Sequence, residues 1–186
     1  MSHKESSQYN QIVLQVLRKA LHIIKNYTIN SLTNATNSII QSMQDNTVVK
    51  FTAENSYTMF YSKFRVNSSR IKTLMEQLEQ RVEFNNQSDY ELALSECHKW
   101  YIQQRRVFIT ASVTSAINEL VQRHLRDTCS LVRSSCSFMI HLCQDENQLY
   151  NNFFSRNSVF FEYVCIIFLI TFINLNSLFV NRKFNR

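Results

Sequence analysis

The chain has 186 residues, enough for one domain with a sizeable core, and its 45% apolar and 18% charged composition is that of a folded protein. It contains neither glycine nor proline, where an average chain of this length carries roughly 22 of them; glycine-rich phosphate loops, the dinucleotide fingerprint and the glycine-flanked serine elbow are therefore excluded. Of the net charge of +6, half comes from Arg156, Arg182, Lys183 and Arg186 against Glu162, and the body has no basic run longer than a pair such as Arg105-Arg106, so a clustered nucleic-acid footprint is excluded too.

With only Asn and Asp left to supply positive φ, the composition favours an all-α fold joined by Asn/Ser/Asp loops. The pattern predicts a long helix over 8–44, in which Ile12, Val13, Val16, Leu17, Ala20, Ile23, Ile24 and Tyr27 recur at i, i+3 and i+4. Leu14, Leu17, Leu21 and Ile24 in the same stretch also fit two heptads, and are the candidate stripe for packing against another subunit, with burial inside the chain the competing reading. Beyond Tyr27 the pattern weakens through Thr28, Ser31, Asn34 and Asn37, then recovers at Ile39, Ile40 and Met43.

After a polar link at 44–47, a second helix is expected over about 57–82, with Phe60, Phe64, Ile71, Leu74, Met75, Leu78 and Val82 on its apolar face. Asn85-Asn86 breaks it, and Ser88 with Glu91 reads as a capping box before a third helix over 89–105. Val107-Phe108-Ile109-Thr110 fits a turn, an extended link or a continuation; a fourth helix covers 112–125. Asp127 is a suitable N-cap for a fifth, over 127–154. The expectation is an elongated rod or bundle of about five helices over 1–155. From Val159 to Val180 only Glu162 is charged, a window just long enough to cross a bilayer.

Five cysteines behind a polar N-terminus fit a reducing compartment. Cys129, Cys136 and Cys143 recur every seven residues, which on a helix spaces them about 10.5 Å apart, too far for one zinc ion or a disulfide. They read as a stripe of small core residues. His22, His98, His124 and His141 fall on separate expected elements, and neither C-x-x-C nor H-E-x-x-H occurs. No catalytic, cofactor-binding or metal-binding residue is assigned, and no cofactor is expected.

The run RDTCSLVRSSCSFMIHLCQDENQLYNNFF at 126–154 resembles the family of conserved oligomeric Golgi complex subunit 3, a vesicle-tethering subunit. Blocks in the same order resemble it as well: KALHIIKNYTINSL at 19–32, FYSKFR at 60–65, IKTLMEQLEQR at 71–81 and SECHKWYIQQR at 95–105. The resemblance covers about residues 10–154. It implies a structural, non-enzymatic subunit of helical rods and bundles, peripheral on the cytoplasmic face of cis-Golgi membranes, acting in intra-Golgi retrograde tethering and protein transport. The implied partners are the other subunits of the complex and, through it, fusion proteins, small GTPases and coiled-coil tethers.

Family members are several times longer, so the chain reads as a fragment lacking their large C-terminal helical part and part of their N-terminal coiled coil. The likeness is expected to stop at Phe154, with 156–186 a tail unlike the family. That change reads as a truncated gene model carrying translated intron sequence; the alternative is a tail anchor over 159–180 on a cytosol-facing protein.

Overall fold

The computed structural model describes residues 3–44, 61–84, 88–125, 127–156, 163–167 and 169, and every regular element among them is a helix. Four long helices follow one another: α1 (His3–Gln44), α2 (Ser68–Phe84), α3 (Ser88–Arg123) and α4 (Thr128–Tyr150). Shorter helical stretches lie at 61–65 and 163–167. The fold is all-α.

The centre of the fold is α3, which packs against each of the other three helices. The reason is written in one row of side chains. Ala93, Cys97, Tyr101, Arg105, Ile109, Val113, Ile117 and Val121 stand four residues apart and are all buried. A row of period four winds about 40° per step around a helix of 3.6 residues per turn, so the buried face of α3 turns toward different neighbours along its length. The same row settles the segment around Phe108: where two helices were expected at 89–105 and 112–125, α3 is continuous, because Phe108 and Ile109 keep the row in phase and nothing there breaks a helix.

The expected helix over 57–82 is interrupted instead. Residues 57–60 lie outside the described residues; a short helical stretch at 61–65 ends in a turn at Val66 and Asn67, after which α2 begins. The β-branched Val66 and the Asn67-Ser68-Ser69 run are weak helix formers whose side chains compete for backbone partners. The break lets Phe64 enter the core against Tyr101 and Phe153, at ring distances of 5.8 and 5.6 Å.

Asp127 caps α4, its carboxylate accepting from the Ser130 amide at 3.0 Å. This helix ends at Tyr150, short of the expected 154: Asn152 N–H donates to Leu149 O and Phe153 N–H to Tyr150 O, a tight turn that tucks Phe153 and Phe154 back into the core. The link at 44–47 and the Asn85-Asn86 break lie outside the described residues, apart from the last residue of α1.

The cysteine stripe is corrected. Cys129 and Cys136 are exposed, and only Cys143 packs against the core. The buried face of α4 is set by Leu131, Ser135, Leu142, Glu146 and Leu149, and the stripe lies to one side of it. A seven-residue repeat falls about 20° behind a straight helix per heptad, which carries only its last member to the edge of the buried face.

Residues of the expected tail belong to the same core. Tyr163 and Ile167 are fully buried. The Tyr163 hydroxyl donates to Glu146 Oε2 at 2.7 Å. With Tyr163 and Ile167 held there, what remains of the 159–180 window is shorter than the roughly 20 residues a membrane span needs. No helix among the described residues is long and apolar enough to cross a membrane. Residues 170–186, including the basic end at Arg182, Lys183 and Arg186, lie outside the described residues.

Candidate functional site

Two places concentrate chemistry or unspent apolar surface: a buried polar and aromatic hub between α2, α3 and α4, and the outer face of α1.

In the hub, Arg105 of α3 meets Glu146 of α4, both essentially out of solvent. Arg105 Nε donates to Glu146 Oε2 at 3.1 Å while Nη2 takes the other carboxylate oxygen, a two-pronged pairing suited to guanidinium and carboxylate. The guanidinium carbon lies 5.0 Å from the centre of the Phe64 ring and 5.9 Å from that of Phe108. Burial alone would favour a neutral arginine, but the Glu146 charge and its hydrogen bonds outweigh it and hold the guanidinium charged. The Tyr163 hydroxyl on the same carboxylate is pushed well up by burial and by that negative charge, so it stays a donor.

Beside this pair, His98 Nδ1 lies 2.9 Å from the Tyr150 hydroxyl, which also donates to Arg156 O at 3.1 Å. The His98 ring packs against Phe154 at 4.1 Å. Burial pushes its pKa down to about 4, so the ring is neutral at physiological pH. Glu79 of α2 accepts from the Ser155 and Arg156 amides at 3.2 and 3.3 Å, binding the turn after α4 to α2. Burial raises its pKa despite those bonds. Every one of these groups is committed to a neighbour within the fold, and among the described residues no three His, Cys, Asp or Glu side chains are placed to share a metal ion. The hub holds elements together.

The outer face of α1 is different. Arg18 pairs with Asp89 at 3.0 Å, Lys25 with Glu96 at 2.6 Å, and Trp100 Nε1 donates to Thr33 Oγ1 at 3.0 Å. The three pairs advance in the same direction along both helices, so α1 and α3 run parallel, with Arg18 level with the first turn of α3. The part of α1 before Arg18 therefore runs past the beginning of α3, an overhang of about 20 Å at 1.5 Å per residue. Every described side chain from 8 to 16 is exposed, including Tyr9, Ile12, Val13 and Val16.

This register sorts the candidate stripe. Leu21 is buried, and Leu17 and Ile24 pack against the chain's own core. Leu14 points the same way but lies on the overhang and stays 38% exposed. Three of the four residues are thus used internally. What the sequence pattern merged into one stripe is two faces. The inner one continues through Thr28, Leu32, Ala35, Thr36 and Ile39, where the apparent weakening past Tyr27 came from two buried threonines whose hydroxyls donate to Ile24 O and Leu32 O one turn back. The outer face carries Tyr9, Val13, Val16, Ala20, Ile23 and Tyr27 at alternating steps of four and three, all exposed. The signal that could have separated them was width: the apolar positions between 12 and 27 cover more of the helix circumference than one neighbour can bury.

Against known proteins, the family model described as conserved oligomeric Golgi complex subunit 3, C-terminal, matches residues 57–174. The subunit of that name from Mus musculus is 41% identical over 158 residues, covering 83% of this chain and 19% of the relative. The human one is 40% identical over 158 residues, covering 83% of this chain and 18% of the relative. That of Aedes aegypti is 32% identical over 167 residues, covering 88% and 18%. No solved structure matches. The chain spans about a fifth of the length of these curated relatives. The family match runs well past Phe154, which corrects the expectation that the likeness ends there and agrees with the burial of Tyr163 and Ile167. The chain belongs to the family of conserved oligomeric Golgi complex subunit 3.

Proposed function

We propose that this chain is a structural segment of a Golgi tethering-complex subunit, acting in intra-Golgi retrograde vesicle tethering by helix-mediated assembly and not by catalysis. The observation that carries the reading is the family match over 57–174 on a fold whose buried hub is committed to internal partners while α1 displays an apolar face outward. Its direct partners are other subunits of the complex. Fusion proteins, small GTPases and coiled-coil tethers are reached through the assembly, and the chain sits peripherally on the cytoplasmic face of cis-Golgi membranes.

The test is expression of tagged 1–186 in cells, with localisation by microscopy and identification of co-purifying proteins. The expected result is recovery of other subunits of the tethering complex, juxtanuclear Golgi staining, and release from membranes by alkaline carbonate. Diffuse staining with none of those subunits recovered overturns the reading.

A further inference from the structure

We infer that the outer face of α1 from Tyr9 to Tyr27 is the docking strip for one amphipathic helix of another polypeptide of the complex, carrying its own apolar four-three repeat and an acidic residue opposite Lys19. The inference rests on the tethering-subunit reading above and adds the surface and the chemistry of its occupant.

Three observations carry it. The strip begins where α1 has no neighbour among the described residues: up to about Arg18 the helix overhangs α3, and a single exposed helix of that length is marginal in water on its own. Apolar residues there, with Val16 at 62% and Ile23 at 68% exposure, call for a cover that the described fold does not supply.

The strip also has a sharp end. Continued along the same four-three positions past Tyr27, the face becomes Asn30, Asn34, Asn37 and Gln41, every one exposed. One helix face thus changes from apolar to amide within a turn, which fixes the footprint of the occupant to the first half of α1. The inner face shows no such change at that point, since Leu21, Leu32 and Ile39 are all buried.

Charge and area choose among occupants. From Ser6 to Gln44 the sequence of α1 has no acidic residue. Arg18 and Lys25 are matched by Asp89 and Glu96 of α3, while Lys19 stands exposed beside the strip with no ion partner among the described residues. A second copy would bring the same acid-free flanks and offer Lys19 nothing. The strip is roughly 27 Å long and about a helix width across, on the order of 300 Å², well below the roughly 800 Å² per partner of a stable two-chain interface. Two copies held by this strip alone would not persist. A helix kept alongside by the other contacts of a multisubunit assembly would.

The experiment compares three full-length chains in cells: unaltered, Val16→Glu with Ile23→Glu, and Asn34→Glu with Gln41→Glu, the last adding the same charge to the amide half. A photo-crosslinking residue at Ile23 identifies the neighbour by its cross-linked peptide. All sites are exposed, and melting temperatures check folding; should the first pair melt early, Val16→Ser with Ile23→Ser takes its place. The expected result is at least a tenfold loss of co-purified subunits for the Val16/Ile23 pair, none for the Asn34/Gln41 pair, and a cross-link to an acidic-flanked four-three helix of another subunit. Full recovery by the Val16/Ile23 pair, or a cross-link into a second copy or into this chain itself, overturns the inference and leaves the tethering reading standing. Failure of the unaltered chain to recover any subunit overturns both.

Discussion

Around the middle of α3, Tyr101, Tyr150, Phe153 and Phe154 pack edge-on or tilted against one another, with His98 against Tyr150 and Phe154, all of them buried, and Arg105 is matched by Glu146 at the same depth. At the beginning of α3 the same chain leaves Tyr9, Ile12, Val13 and Val16 uncovered on the projecting part of α1. Both regions carry large apolar side chains on helices, but the first buries its rings within the chain and the second leaves its apolar side chains in solvent. Stability should therefore depend on the first region and recognition on the second, and substitutions can be sorted by which of the two quantities they move.

The largest effect is expected at Arg105. Replacing it by Met leaves the Glu146 charge buried with its main countercharge gone, a loss of about 3–5 kcal/mol by chemical denaturation. Adding Glu146→Leu should recover much of that loss, since a buried ion pair is expensive to break but not to replace as a unit. If Arg105→Met alone costs less than about 1 kcal/mol, the hub is not what holds α3, α4 and the helical stretch at 163–167 together. Next comes Leu21→Ala, which opens a void between α1 and α3 and should cost about 2–3 kcal/mol.

Within the hub, His98 ties stability to pH in one direction, while Glu79, whose pKa burial raises, acts in the opposite one. His98 has its folded pKa near 4, below the ordinary 6.5 of the unfolded chain, so the folded state binds fewer protons in that window. Its contribution is fully present above about pH 6.5 and is lost as pH falls toward 4. From pH 7 to 5 the loss is about 2 kcal/mol, measured as the shift in urea midpoint, and a His98→Gln variant should lack that part of the slope. Wild-type and His98→Gln profiles that coincide over this range would mean that His98 is reached by water and that the hub is open.

How much of this was legible in the sequence follows from the physics of each element. The absence of glycine and proline and the apolar periodicity suffice for an all-α chain, and Asp127 announces its own helix because capping is a local matter. The continuity of α3 was not legible, because its buried row winds around the helix with a period of four and so never forms a fixed stripe. The role of Thr28 and Thr36 was hidden for a related reason: a threonine that bonds one turn back is apolar to its neighbours but polar to a pattern count. Packing register lay further out of reach. Nothing in the spacing of Leu14, Leu17, Leu21 and Ile24 says that α3 starts level with Arg18, and that single fact divides the quartet into buried and open members.

The smallest effect sharpens the comparison most. Val16→Ala and Ile23→Ala lie five residues and two residues from Leu21 on the same helix, and each removes as much apolar side chain as many core substitutions do. Because both side chains are mostly solvated in the folded chain, truncating them removes little burial and opens no cavity, so stability should change by less than about 0.5 kcal/mol. A helix scanned from 9 to 27 in this way should therefore give two interleaved series, a costly one at Leu17, Leu21 and Ile24 and a nearly silent one at Val13, Val16 and Ile23. The silence has meaning only in isolation. If the outer face carries a partner helix, the second series should become costly in the assembled complex, where the same truncations would lower affinity while the melting temperature of the free chain stays put. A uniform cost across both series in the free chain would instead mean that the outer face is already covered by this chain itself.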